Sequence, residues 1–179
     1  MYALTMEKPT LHLLIGLPGS GKTTLAKILQ ELTDSVRVSS DDYRLLLFPR
    51  PKFTQKEHDN LYAMIDHNVE HLLQAGHSVV YDANLNRRVH RDEKYALAKK
   101  YDVTIKLWWV QAEQILSKQR RVDESKHHAL VPNDETPGEM HDRISDLFEA
   151  PGNDESYVVV DGHNITRENI AENLVVEDK

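Results

Sequence analysis

The run Gly16-Leu17-Pro18-Gly19-Ser20-Gly21-Lys22-Thr23-Thr24 has the residue types and the spacing of a loop built to hold phosphate, GxxxxGK[ST]. Its glycines let the backbone wrap closely, so that successive N–H groups can point at one anion. Lys22 is placed to reach the β- and γ-phosphates of a nucleoside triphosphate, and Thr23 offers a hydroxyl to Mg²⁺. Apolar residues 11–15 lead into the loop, and Leu25, Ile28, Leu29 and Leu32 follow it at helical spacing. A strand therefore enters and a helix leaves, which a chance glycine-rich turn would not require. The positive end of that helix adds to the same field.

A phosphate-binding loop does not by itself separate phosphoryl transfer from ATP hydrolysis or a guanine-nucleotide switch, so the other strand ends must. Ser39-Ser40-Asp41-Asp42-Tyr43-Arg44 closes the second apolar run and puts two carboxylates and a guanidinium at the C-terminal sheet edge, where open α/β folds bind ligands. Asp41 there can accept the proton of an attacking hydroxyl, and the planar fork of Arg44 suits a substrate phosphate. One of the two aspartates is expected instead to cap a helix over 43–48. The third run ends in Val79-Val80-Tyr81-Asp82-Ala83-Asn84, with Asp82 where a carboxylate holds Mg²⁺ through water beside Thr23. Ala83 stands where a motor or remodelling ATPase would need a glutamate to activate water, and no NKxD stretch is present to read guanine.

Further along, Arg120 and Arg121 close a helix and Lys126 follows. A cation that swings over a transferring phosphoryl group lowers the barrier by several kcal/mol; each of the three reads equally well as a solvated basic helix end. His67-Asn68-Val69-Glu70-His71 fits the inverted zinc-peptidase pattern HxxEH. Leu61, Ile65, Val69 and Leu72 define the buried side of that helix, which turns His67, Glu70 and His71 toward solvent and argues against a metal site. His127 and His128 are read as surface.

These groups need a scaffold. Apolar, β-branched runs at 11–15, 36–39, 78–81, 103–110 and 157–160 alternate with helix-length segments, the pattern of a parallel sheet covered on both faces. Helices are expected around Leu61 to Leu73 with an end at Gly76, over 87–100 and 113–121, and at the stripe Met140, Ile144, Leu147 and Phe148. Residues 123–137 break the pattern with charges, histidines and prolines, and about 120–137 is read as a lid on the ligand side. A length of 179 residues suits one α/β domain over 1–179. The net charge of −7 gives a whole-chain field that does not favour a long polyanion, while a local basic groove stays open. The absence of cysteine excludes disulfides and cysteine metal sites. The N-terminal residues lack a signal-peptide pattern and no run reaches membrane length, so a soluble, cytoplasmic protein with access to ATP and no membrane partner is expected.

Taken together, GLPGSGKTT at 16–24, SSDDYR at 39–44, YDANLNRR at 81–88 and Val131-Pro132 resemble the P-loop kinases that include the 5′-kinase domain of phage polynucleotide kinase, and more loosely the zeta-toxin and chloramphenicol phosphotransferase groups. The resemblance implies a three-layer α/β fold with a five-stranded parallel sheet in the order 2-3-1-4-5 and a helical lid. It implies ATP and Mg²⁺, Asp41 as general base, and Arg44 on the acceptor phosphate. Asp82, Asn84 and Asn86 match the family's DTNLN element, and Arg88, which closes the matching stretch, joins Arg44 and Asn84 as a candidate substrate contact. The acceptor is then a nucleic-acid 5′-hydroxyl or the hydroxyl of a small metabolite such as a sugar or nucleotide-sugar; an ATP-binding regulatory ATPase without acceptor is the alternative from another class. The insertion at 123–128 shifts the register of the family's lid arginines, and no DxDxT stretch for a fused phosphatase occurs.

Lys22→Ala should reduce phosphoryl transfer severely while leaving the fold intact, because the loop amides stay but the charge at the β- and γ-phosphates is lost. Turnover at saturating ATP, alongside circular dichroism, measures this; unchanged turnover would remove the loop from the mechanism.

Overall fold

The computed structural model describes residues 8–125, 130–132 and 134–175. Five parallel strands form one sheet in the order β2-β3-β1-β4-β5, as the resemblance implied. They are β1 (Thr10–Ile15), β2 (Val36–Ser39), β3 (Val79–Asp82), β4 (Thr104–Gln111) and β5 (Tyr157–Asp161). Between them run α1 (Lys22–Thr33), α2 (Ser40–Leu47), α3 (Gln55–Gln74), α4 (Arg88–Tyr101), α5 (Gln114–Ser125) and α6 (Pro137–Asp146), and α7 (Arg167–Val175) follows the last strand.

Alternation along β1 builds the two cores. Leu11, Leu13 and Ile15 face one side with Val79, Tyr81 and Leu107, covered by Leu61, Ile65 and Val69 of α3. Leu14 faces the other with Val80, Trp108 and Val160, covered by Leu25 and Leu29 of α1 and Ile170 of α7. Because both faces are buried, the central strands read as continuous apolar runs rather than as alternating ones. The register pairs Ser39 with Asp82 and Ile15 with Trp109, so the β1 and β3 ends that carry the phosphate loop and Asp82, with Ser39 of β2, stop along one edge. That edge is where the chemistry of the sequence is gathered.

Three local outcomes differ from the sequence expectations. Neither Asp41 nor Asp42 caps α2: Ser39 does, its Oγ accepting from the Asp42 amide at 3.3 Å, and the helix starts at Ser40. Both aspartates fall in the first turn, where the helix dipole favours negative charge. Pro137 does not belong to an irregular break but opens α6, behind a full capping box between Thr136 and Glu139. Helix α7 was not anticipated; its polar sequence shows one deeply buried anchor, Ile170. Residues 126–129, including Lys126, His127 and His128, lie outside the described residues. Among the described residues, no helix is long and apolar enough to cross a membrane.

One buried polar pair fixes a pH dependence. The Trp108 indole N–H donates to His12 Nδ1 at 3.2 Å inside the sheet. Indole nitrogen can only donate, so His12 must accept and must be neutral. Burial, with the nearby Lys106 charge adding to it, pushes His12 down to about 4 from 6.5. The unfolded chain therefore binds a proton between these two values that the folded chain refuses, so the stability is present above about pH 6.5 and is lost as pH falls toward 4. The loss expected from this residue is on the order of 3 kcal/mol. Urea melts of wild type and His12→Asn across this range test it; an identical pH slope in both would remove His12 as the cause.

Candidate active site

The strand ends, the phosphate loop and the N-terminal part of α3 enclose a cleft of about 400 Å³, closed on the far side by α5 and α6. Pro18, Gly19, Gly21, Lys22, Thr23 and Thr24 form its floor. Gly16, Leu17 and Ser20 lie behind that floor: Ser20 is buried, and Leu17 faces a second cavity beside Trp109 and Phe148. Two glycines are fixed by geometry. Gly19 has φ 77° with the Ser117 carbonyl where a Cβ would fall, at 2.1 Å, and Gly21 has φ 109° with Ile165 Cδ1 at 2.5 Å. A side chain at 19 would strike the α5 backbone, and at both positions the positive φ itself disfavours a residue with a Cβ.

Lys22 Nζ donates to the Gly16 and Leu17 carbonyls at 2.9 Å each, folded back across its own loop. Burial pushes it down to about 8, against the pull of Asp82 and Asp41. Asp41 opens onto the cleft. Desolvation by the cleft walls raises its pKa above the ordinary carboxylate value; the Arg121 charge opposes the rise and Asp82 adds to it. A carboxylate raised in this way is a stronger base than a free aspartate. Arg44, one helical turn on, is 8% exposed, its guanidinium 4.8 Å from the Phe53 ring centroid, and its Nη1 has no hydrogen-bond partner among the described residues. A buried guanidinium nitrogen left unpaired costs about 1–3 kcal/mol, which an anionic ligand would recover. Phe53, His58 and Tyr62 complete this end of the cleft with aromatic surface.

Asp82 and Thr23 share the cleft wall, as a jointly held cation would need. Asp82 Oδ2 accepts from Arg37 Nε at 2.9 Å and Nη2 at 2.6 Å, and Arg37 Nη1 reaches Asp42 at 2.9 Å. Asn84 lines the cleft, and its Oδ1 accepts from the Asn86 amide at 3.2 Å. The two lid arginines part company, since neighbours on a helix point about 100° apart. Arg121 lines the cleft, with Nη2 on the Leu130 carbonyl at 2.8 Å and Nε unpartnered. Arg120 instead donates to the Gly162 carbonyl at 2.9 Å and is not among the cleft-lining residues.

Arg88 likewise stands outside the cleft lining. Its guanidinium is held by Asp92 and Asp154, with Glu155 at 3.4 Å, and it serves the 152–155 loop rather than the cleft. His67 and His71 project to solvent with their Nε2 atoms 3.1 Å apart, and Glu70 pairs with Lys100, the outward placement that the helical spacing required.

The residues that spacing did not single out hold the others in place. Asn86 is buried, accepts from the Gly16 N–H at 2.9 Å and donates to the Gly16 carbonyl at 3.0 Å. Arg91, fully buried, donates to the carbonyls of Leu85, Asn86 and Glu149 and forms a fork with Glu155 at 2.7 and 2.9 Å. Burial alone would raise Glu155, but Arg91, the Gly152 amide and Tyr95 hold it at about 2. A helical arginine followed by a distant loop glutamate has no sequence signature. Asn86→Ala should leave the Gly16 N–H buried without a partner and its carbonyl to Lys22 alone, lowering stability by about 1–3 kcal/mol and weakening nucleotide binding at least as much as catalysis. Thermal melts and nucleotide titration read the two effects; full nucleotide affinity in a destabilised Asn86→Ala protein would show that the brace serves folding alone.

A family model described as an AAA domain matches residues 11–151. A protein of Chloroflexus aurantiacus J-10-fl described as a candidate kinase shares the fold at TM-score 0.75 and 17% identity, over 97% of this chain and 100% of that one. A gluconokinase from Sinorhizobium meliloti 1021 superposes at TM-score 0.63 and 17% identity, over 97% and 99%. A chain of the Pnkp1/Rnl/Hen1 RNA repair complex does so at TM-score 0.66 and 23% identity, over 80% of this chain and 45% of its own length. No curated protein shows significant similarity. With the phosphate loop, both strand-end carboxylates and strands β2, β3 and β4 inside the matched span, the chain belongs to this AAA-domain family and carries a P-loop kinase fold.

Proposed function

We propose that the chain is an ATP-dependent kinase, one domain with a lid at about 120–137, that transfers the γ-phosphate to a hydroxyl acceptor of the polynucleotide 5′-hydroxyl type. The observation that carries this reading is the meeting, in one cleft, of Lys22, the basic carboxylate of Asp41 and the unpaired guanidinium nitrogen of Arg44. A hydrolase needs the first and can use a carboxylate on water, whereas a buried cation beside both suits an acceptor that carries a phosphate. Lys22 and the loop amides hold the donor phosphates, Arg44 holds a phosphate of the acceptor, and Asp41 takes the hydroxyl proton as its oxygen attacks phosphorus. Arg121 is the lid cation that offsets charge on the transferring oxygens, aided by Asn84 at the acceptor side. Thr23 and Asp82 would hold Mg²⁺, whose contribution is to neutralise the β- and γ-phosphate oxygens.

Two other readings have support of their own. The gluconokinase neighbour keeps a small-metabolite hydroxyl in view as acceptor. The family description as an AAA domain favours an ATP-hydrolysing regulatory module, although Ala83 occupies the position after Asp82. Labelled γ-phosphate transfer to 5′-hydroxyl oligonucleotides, nucleosides, sugars and nucleotide-sugars separates them. ATP consumption with no labelled acceptor would leave the regulatory ATPase.

Asp41→Asn should keep nucleotide binding and lower transfer by about 10² to 10⁴, the usual share of a general base. The sign of the pH effect follows from the raised Asp41. Transfer should fall with acidification at a pH above the ordinary carboxylate range, because the protonated carboxyl cannot accept, and this limb should be missing from the residual activity of Asp41→Asn. Profiles of kcat/KM for both proteins check it; wild-type rates in Asp41→Asn would end the general-base role.

A further inference from the structure

The acceptor end of the cleft runs out onto a rim whose charge opposes that of the chain. From Arg44 to Lys56 there are four cations, Arg44, Arg50, Lys52 and Lys56, and no carboxylate, in a chain with 29 acidic and 22 basic residues. Many surface cations elsewhere are neutralised where they stand, as Lys8 is by Asp102, Lys118 by Asp142 and Arg167 by Glu31. Arg50, Lys52 and Lys56 are exposed, and among the described residues none of them forms an ion pair.

The next carboxylate along the chain forms no ion pair with them among the described residues. Glu57 Oε2 accepts from the backbone amides of Lys52 and Phe53, at 2.8 Å each, and so is spent on the turn. That turn is fixed: Phe53 sits at φ 55°, Thr54 caps α3 through the Glu57 amide at 3.2 Å, and Pro49 and Pro51 restrict the chain before it. The three cations thus stand on a held segment directly beside Phe53 and His58, which line the cleft.

We propose that this rim is a track for a single-stranded polynucleotide, with the 5′ nucleoside in the acceptor cleft and Arg50, Lys52 and Lys56 on the phosphates of the nucleotides that follow. The inference rests on the kinase reading of the cleft and narrows its acceptor. A single sugar or nucleoside ends inside the cleft and has no use for three unpaired cations beyond it. A strand leaving the cleft presents one phosphate per nucleotide to them, and aromatic lining accepts any base by stacking. The acidic remainder of the surface then repels the strand elsewhere and keeps contact local.

The test uses the full chain and a triple variant, Arg50→Ala with Lys52→Ala and Lys56→Ala. Acceptors are a nucleoside 3′-monophosphate and 5′-hydroxyl oligomers of two to eight nucleotides, as RNA and as DNA; binding of the longest is followed by fluorescence anisotropy against salt. For wild type, kcat/KM should rise with length over the first few nucleotides. The triple variant should lose that rise, keep wild-type kcat/KM on the monophosphate, and show a log–log salt slope shallower by about 2, at about 0.7 per phosphate. Arg50→Lys with Lys52→Arg and Lys56→Arg should restore the slope. Equal slopes and equal length dependence in wild type and triple variant would overturn the track, as would an equal loss on monophosphate and oligomer. If no 5′-hydroxyl is phosphorylated at all, the kinase reading fails, and the anisotropy slopes still decide whether the strand follows this rim.

Discussion

The grip of one buried amide on Gly16 underlies the rest of the site. A phosphate loop is a curled backbone with few internal hydrogen bonds, and it must hold its shape before any anion arrives. Asn86 satisfies the N–H and the carbonyl of Gly16 together, which only a side-chain amide, with a donor and an acceptor side by side, can do. The end of β3 and the end of β1 become one rigid object. Asn86 is itself held through its carbonyl by Arg91, and Arg91 is locked by Glu155, both side chains being almost wholly buried. Such a pair gives little net stability over an apolar substitute but leaves a severe deficit if one partner is lost. Here it joins the phosphate loop, α4 and the loop before β5 in a single polar chain.

Around this frame the carboxylates take on different roles through their surroundings. Asp82 is met by the Arg37 fork and remains available to a cation on its free oxygen. Asp41 opens onto the cleft, whose desolvation raises it above the ordinary carboxylate value. Asp42, next to it in sequence, turns out to Arg37 and solvent. Three aspartates along one sheet edge are thereby sorted by partner and exposure rather than by motif.

The same fold carries a gluconokinase and a chain of an RNA repair complex, so the sheet and loop alone do not name an acceptor. The features of this chain that bear on an acceptor lie on α2 and the turn into α3. Arg44 has a buried nitrogen without partner, Phe53 is held in a left-handed turn, and the cations flanking it are unpaired. These features sit at or beside the end of the cleft that Phe53, His58 and Tyr62 line.

The sequence by itself determined the sheet, its five strands and the phosphate loop, because burial on both faces writes long apolar runs and because a loop that curls around phosphate admits few residues but glycine. It also placed Lys22, Thr23, Asp41, Arg44 and Asp82, each at a strand end or within a turn of one, where the chain's local order already fixes the neighbourhood. Tertiary structure alone decided which of two adjacent arginines faces the cleft, since that depends on the rotation of α5 about its axis, a quantity set by packing on α6. It alone withdrew Arg88 to the 152–155 loop, gave the α2 cap to Ser39, and joined Gly16, Asn86, Arg91 and Glu155 through contacts spanning up to 70 residues of chain. Contacts of that span follow from where the sheet brings separate segments together, and single-chain spacing carries no trace of them.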